Sequence, residues 1–229
     1  MIRRTLALMA LAMPVYAQQD TVALPQGCTA FVTIQYNSCS VSHHFTCEGD
    51  EVGIQRRIDL DPDGITYIGA IDAETQWIES VHVRSGHMER LEDAPADRAS
   101  FTELLENGID TFDFQTLSDE IGTSRYVGFD SLTGVQVEID GVLLDQTQNQ
   151  IFGYDADGEL TWQGEGNEYI SRDFRMFLSG TSSVTVPEGT FEIVDEPVEF
   201  IFPDESGFLS SNPKHGCGVT DSSFSVLGH

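Results

Sequence analysis

Two pairs of histidines are the residues of this sequence best suited to chemistry, because imidazole binds metal ions and moves protons near neutral pH. His43 and His44 are adjacent and lie between two cysteines in SCSVSHHFTC, residues 38–47. His82 and His87 flank a Ser-Gly turn signal. Cysteine beside histidine is typical of metal sites, but cysteines in disulfide bonds supply no thiolate ligand. The compartment of the protein therefore decides how the first pair is interpreted.

The N-terminus has the pattern of an export signal. Residues 1–17, MIRRTLALMALAMPVYA, contain two arginines, an apolar run and a small-x-small cleavage site that ends at Ala17. The run is too short for a transmembrane helix, and no later stretch approaches the ~20 apolar residues that one needs. We therefore expect residues 18–229 to form a single domain in the periplasm, outside the membrane, where an even number of cysteines forms disulfide bonds.

The charge of the chain argues against two classes of partner. Eleven basic residues stand against 38 acidic ones, which gives a net charge of −27. Such a chain is unsuited to binding nucleic acid by neutralising phosphates, or to adhering to an anionic membrane. The acidic residues are scattered along the sequence, which favours a solvated acidic surface over a dedicated site for cations or a basic partner.

Turn dipeptides divide the chain into short runs rich in β-forming residues. They are Asp63-Gly64, Ser85-Gly86, Asp140-Gly141 and Asp157-Gly158. Runs between such turns predict strands from 29 to 91 and from 123 to 202. The sequence therefore predicts a mainly β fold, in which a long antiparallel meander forms a strongly curved sheet or an incomplete barrel.

One segment has the periodicity of a helix instead. Within 96–107, Phe101, Leu104 and Leu105 fall on one face, and Asn107-Gly108 provides an end signal. This pattern predicts a single amphipathic helix packed against the sheet. The tail 213–229 is rich in glycine and serine and is expected to be irregular, unless a cysteine holds it.

The four cysteines allow three pairings, and strand geometry favours one of them. If Asn37-Ser38 forms a two-residue hairpin loop, Cys28 faces Cys47 at a hydrogen-bonded position. The Cα atoms at such a position are about 5.5 Å apart, a separation that a disulfide bond spans. Cys39 then pairs with Cys217 and pins the tail to the tip of the hairpin.

The same strand geometry separates the adjacent histidines. Side chains alternate along a strand, so His43 lies on an apolar face with Val41 and Phe45, while His44 lies on a polar face. The two imidazoles cannot bind one ion together. A Cys39–Cys217 bond brings His215 close to His43, and these two side chains form a candidate copper or zinc site. A buried, hydrogen-bonded His43 is the alternative.

The segment DLDPDG offers a second candidate metal site. Asp59, Asp61 and Asp63 alternate ahead of Gly64, as in the first half of an EF-hand calcium loop. The glutamate expected at the end of such a loop is replaced by Ala70. A hairpin turn explains the segment without calcium.

Two further groups of side chains have an alternative structural explanation. Arg172 and Arg175 are scarce cations beside aromatic residues, and they could hold a carboxylate or phosphate of a ligand. Ion pairs with neighbouring acidic residues are the alternative. His82 and His87 lie near Glu79 and Glu89 on a predicted hairpin, where they could transfer protons or be exposed without a function.

No recognisable frame for a catalytic serine, thiol pair or zinc protease is present in the sequence. The layout of a signal segment, a curved β meander and one helix resembles the periplasmic half-barrel carriers of lipoproteins or lipids. We therefore expect a non-catalytic protein that binds a hydrophobic or amphipathic ligand, or a protein partner, in the concavity of its sheet. An extracytoplasmic hydrolase and a metal-binding protein remain the alternatives.

Overall fold

The computed structural model describes residues 21–218. The predicted signal segment 1–17 and the last part of the tail, 219–229, lie outside the described residues. The elements are β1 (Cys28–Tyr36), β2 (Ser40–Cys47), β3 (Gln55–Asp61), β4 (Gly64–Ile71), β5 (Trp77–His82), β6 (His87–Leu91), α1 (Phe101–Asn107), β7 (Ile109–Ser118), β8 (Gly122–Ile139), β9 (Val142–Tyr154), β10 (Leu160–Ser171), β11 (Met176–Leu178), β12 (Thr181–Val186), β13 (Gly189–Val194) and β14 (Pro197–Ile201).

All fourteen strands belong to one antiparallel sheet that does not close. From β1 to β10 each strand pairs with the next in the chain, and β12 and β13 continue the meander beyond β10. The mainly β fold predicted from the sequence, a long antiparallel meander in a sheet that stays open, is therefore confirmed. Strand β7 was missed, because its segment falls between the two predicted groups of strands.

The last strand departs from the meander. β14 pairs with β1, although it follows β13 at the opposite end of the sheet. Only Asp195 and Glu196 join the two strands, so the ends of the sheet approach each other at this point. Asn37 secures the approach, because its N–H donates to the Glu196 carbonyl over 3.0 Å and its Oδ1 accepts from Glu196 N over 2.9 Å.

The largest core cluster lies between strands that are distant in the sheet. It joins Val32 and Ile34 of β1 to Leu144 of β9, Leu178 of β11 and Phe200 of β14. Side chains of these strands meet only if the sheet is strongly curved. Burial of this apolar surface therefore stabilises the curvature.

The tip of the first hairpin differs from the prediction. Tyr36 pairs with Ser40, so the loop has three residues, and Cys39 adopts a left-handed conformation with φ 60°. A bulge between Ala30 and Val32 shifts the register back. The two irregularities compensate, and Cys28 still faces Cys47.

Both disulfide bonds have the pairing that the sequence predicts, Cys28 with Cys47 and Cys39 with Cys217. The second bond places the tail against the hairpin loop so closely that a Cβ atom at Gly216 would lie 1.8 Å from the Asn37 carbonyl oxygen. The described part of the predicted irregular tail, 213–218, contains no helix or strand.

His43 and His44 project to opposite sides of β2, and the polar side is buried at its centre and exposed at Thr46. Val41, His43 and Phe45 are buried on one side, and Ser42 and His44 on the other. The chain after β14 covers the first side. Its Leu209 N–H donates to Thr33 Oγ1 over 3.0 Å, and its Lys214 N–H donates to Gln35 Oε1 over 2.9 Å.

The helix begins later than predicted, at Phe101 instead of residue 96. Asp97 forms an antiparallel bridge with Asp113 of β7, which holds the preceding segment extended. Ser100 caps the helix by accepting from Glu103 N over 3.2 Å, and Gly108 ends it with φ 78°. Phe101 and Leu104 are buried, as the amphipathic pattern requires.

Candidate metal centre

A compact group of imidazole and carboxylate side chains lies on the hairpin formed by β5 and β6. His82 ends β5 and His87 begins β6, and the two residues are direct cross-strand partners. Cross-strand partners project from the same face of a sheet. Their rings accordingly stack, with centroids 4.4 Å apart and an interplanar angle of 18°.

Glu89 completes the group, because it lies two residues after His87 on the same face of β6. Its Oε2 is 3.2 Å from His82 Nε2 and 3.8 Å from His87 Nε2. Its Oε1 accepts from Thr116 Oγ1 over 2.6 Å and from Tyr126 OH over 3.1 Å. One carboxylate oxygen is thus satisfied by hydroxyl groups of β7 and β8, while the other faces both imidazoles.

The carboxyl group of Glu89 is buried but ionised. Burial opposes the charge, yet the hydrogen bonds from His82, Thr116 and Tyr126 outweigh it and lower the pKa of Glu89 to about 2. The Glu89 carboxylate therefore carries a negative charge close to the two Nε2 atoms over the whole physiological pH range.

Neighbouring side chains help to orient each imidazole. His87 Nδ1 lies 3.0 Å from Ser85 Oγ, so its Nε2 is turned toward Glu89. The ring of Tyr67 packs edge-on against His82, with centroids 5.4 Å apart. The His82 side chain is 39% exposed and that of Glu89 only 6%. The group is consequently closed on the protein side and open to solvent beside His82.

These positions match the ligand separations of a metal site. In residues 21–218, His82, His87 and Glu89 are the one group of at least three such residues whose ligand atoms all lie within 4.8 Å of one another. Ligands of a tetrahedral zinc ion, at about 2.0–2.1 Å from the metal, are separated by about 3.3 Å. The separations from Glu89 Oε2 to the two Nε2 atoms, 3.2 and 3.8 Å, are close to this value, and all three ligand atoms lie within 4.8 Å of one another.

The candidate copper or zinc ligands His43 and His215 have other partners. His43 is buried beneath the tail, and its Nδ1 lies 2.9 Å from Thr33 Oγ1. Burial lowers the pKa of His43 to about 4. His215 Nε2 lies 3.2 Å from Glu199 Oε2, beside Lys214. Among residues 21–218 these two histidines do not belong to a group of three ligand residues such as His82, His87 and Glu89. Metal binding by His43 and His215 stays a prediction.

The aspartates of the candidate calcium loop point to separate partners. Asp59 accepts from Ser42 Oγ and lies 3.3 Å from Arg57 Nε, and its burial raises the pKa of its carboxyl group. Asp61 pairs with Arg84 and also accepts from Asp63 N over 2.9 Å. The last bond is typical of a hairpin turn. The calcium site likewise stays a prediction.

The two arginines proposed as ligand clamps pair with acidic residues of the protein. Arg172 donates to Asp145. Arg175 donates to the Ala73 carbonyl over 2.9 Å and to Glu74 Oε1 over 3.0 Å, and its guanidinium group lies 4.9 Å from the centroid of the Phe101 ring. The structure thus gives both side chains the alternative role of holding loops to the sheet, and ligand binding by them is untested.

Comparison with family models, with curated proteins and with solved structures finds no match for this chain. In residues 21–218 no helix is long and apolar enough to cross a membrane. The functional interpretation therefore rests on the geometry of the side chains.

Proposed function

We propose that the protein binds a divalent transition-metal ion through His82, His87 and Glu89. The observation that carries this proposal is the convergence of two imidazole nitrogens and one ionised carboxylate oxygen at ligand–ligand distances. Two histidines and one carboxylate form a ligand set that zinc and non-haem iron use, whereas calcium prefers oxygen ligands alone. Solvent beside His82 leaves room for a further ligand on the ion.

The hydroxyl groups around Glu89 support the same proposal. Metal-binding carboxylates are commonly held by hydrogen bonds from a surrounding layer of residues, which orient the oxygen that meets the ion. Thr116 and Tyr126 do this for Oε1, while Oε2 faces the two imidazoles. The same hydrogen bonds keep this buried carboxylate ionised, which is the form that binds a metal ion.

The disulfide bonds support a location outside the cytoplasm, where thiols are oxidised. With the signal pattern at 1–17, they lead us to propose the periplasm. All four cysteines are used in these bonds, so a thiolate does not compete with the imidazoles for the ion. The hydrophobic-ligand carrier and the hydrolase stay predictions from the sequence.

Zinc titration of the disulfide-bonded protein, first dialysed against a chelator, tests the proposal. Calorimetry of the native protein should show one zinc ion per chain, and H82Q and H87Q should each weaken binding by at least about 100-fold. The matched control H215Q, which removes an exposed histidine that also lies beside a carboxylate, should bind as the native protein does. Absence of zinc binding, or equal loss in H215Q and H82Q, would refute the site.

A further inference from the structure

A cavity of about 550 Å³ opens at the end of β2 and the start of β3, remote from the histidine hairpin. Its lining comes from β1, from the loop between β2 and β3, and from the turn between β10 and β11. Phe31 and Phe174 contribute aromatic rings, and Val52 and Ile54 add aliphatic surface. The cavity is therefore mainly apolar along one wall.

The aromatic wall is held in place without a ligand. The rings of Phe31 and Phe174 lie 6.0 Å apart at an interplanar angle of 30°. Gln55 Nε2 donates to the Phe174 carbonyl over 2.8 Å, and Phe174 N–H donates to Ser171 Oγ over 3.2 Å. The His44 ring packs against the Phe31 ring, with centroids 6.2 Å apart. A preformed wall loses little conformational freedom on binding.

The rim of the same cavity is acidic. Glu48, Glu51 and Asp173 line it and form no ion pair with any residue in 21–218. Asp50 also lines it, but both of its oxygens accept from Arg56, over 2.7 and 2.8 Å. Within the described chain no basic side chain lines the cavity, so its rim carries uncompensated negative charge.

We propose that this cavity binds a small organic cation in which an apolar chain or ring carries a primary ammonium group. The apolar part packs on Phe31 and Phe174, whose ring faces also attract the cation. The ammonium group faces Glu51 and Asp173 on the rim. This site is independent of the metal centre, and its failure would leave the metal proposal untouched.

Three probes of equal length separate charge from hydrophobicity: hexylammonium, hexanol and hexanoate. NMR titration should show saturable shifts of the Phe31, Val52 and Gln55 backbone amides with hexylammonium. Binding of hexanol should be about tenfold weaker, and hexanoate should not bind. Equal affinity for hexanoate and hexylammonium, or no shift at these residues with any probe, would overturn the proposal.

Variants locate the cation. The double substitution E51Q and D173N should weaken hexylammonium binding about tenfold and leave hexanol binding unchanged. The double substitution E103Q and E106Q, which removes two exposed carboxylates on α1, is the matched control for net charge and should have no effect. Equal weakening by this control would show that only the overall charge of the protein attracts the probe.

Discussion

The two histidine pairs of this protein differ in whether their side chains meet. His43 and His44 are neighbours in sequence, yet they project from opposite faces of β2 and are buried in separate surroundings. His82 and His87 are five positions apart, yet they stack across a hairpin and share Glu89. In a sheet, adjacency along the chain separates two side chains, whereas cross-strand pairing brings them together. Hydrogen-bonding register therefore predicts a shared site better than sequence spacing does.

The largest expected effect is the loss of stability in acid that His43 and His44 together cause and the other histidine pair does not. Burial lowers the pKa of His43 to about 4 and that of His44 to about 3, from 6.5. The unfolded chain then binds more protons below about pH 6.5, so the stability present above this pH is lost as the pH falls toward the folded values. From about pH 8 to about pH 5, each histidine should cost about 2 kcal/mol of unfolding free energy.

Denaturant unfolding at the two pH values checks this expectation. H44Q should reduce the acid-dependent loss by about 2 kcal/mol, because glutamine binds no proton in this range. F45L, a control that destabilises the same strand without a change in titratable groups, should lose the same free energy at both pH values. An unchanged pH dependence in H44Q would show that His44 is not held neutral.

The next effect concerns the pair that shares a carboxylate. At a zinc concentration about 100 times Kd, a bound ion should stabilise the native protein by about 2.7 kcal/mol. E89Q keeps the shape of the side chain but removes its charge, and we expect this stabilisation to disappear. Thermal unfolding with and without zinc measures it. E79Q, on the neighbouring strand β5, should retain the full effect; a loss there would mean that zinc acts through general surface charge.

A smaller effect should come from the hydroxyl groups behind Glu89. T116V removes the 2.6 Å hydrogen bond to Oε1 at nearly constant volume, and we expect zinc affinity to fall about tenfold. Calorimetric titration gives the dissociation constant. Y67F removes a hydroxyl group that bonds Ser80 instead, and it should leave the affinity unchanged. Similar affinities for T116V and the native protein would limit the site to its three ligands.

The smallest effect should appear at the edge of the hairpin. S85A removes a solvent-exposed hydrogen bond between Ser85 Oγ and His87 Nδ1. Because water can replace an exposed hydroxyl group, we expect zinc affinity to fall only about threefold. A fall as large as that of H87Q would mean that Ser85 determines the orientation of the ring, and not merely assists it.

Much of the fold follows from local patterns in the sequence. Strand alternation and turn dipeptides predict the antiparallel meander, and a hairpin with cysteines at both ends predicts the disulfide pairing. The three-residue loop was not predictable, because Asn37 is held by Glu196, a contact with the far end of the chain. Strand β7 was missed because a charged residue, Asp110, stands among the residues of its buried face. Its carboxylate accepts a hydrogen bond from the Ser100 N–H over 2.8 Å.

The candidate metal centre was visible only in part. The turn between His82 and His87 places them near each other, and the period of two adds Glu89. Thr116 and Tyr126 come from β7 and β8, and only the pairing of β6 with β7 brings them to the site. The Cys39–Cys217 bond predicts that the tail reaches this hairpin, but no local pattern indicates that the chain after β14 buries His43.

The pairing of β14 with β1 also determines the order in which the protein can mature. The first strand to be synthesised obtains one of its two neighbours, β2, at once, but its other neighbour is among the last segments to be made. Until then β1 presents an unpaired edge, the feature through which strands of different molecules associate. A nascent chain that stalls before β14 is therefore the form of this protein most prone to aggregate.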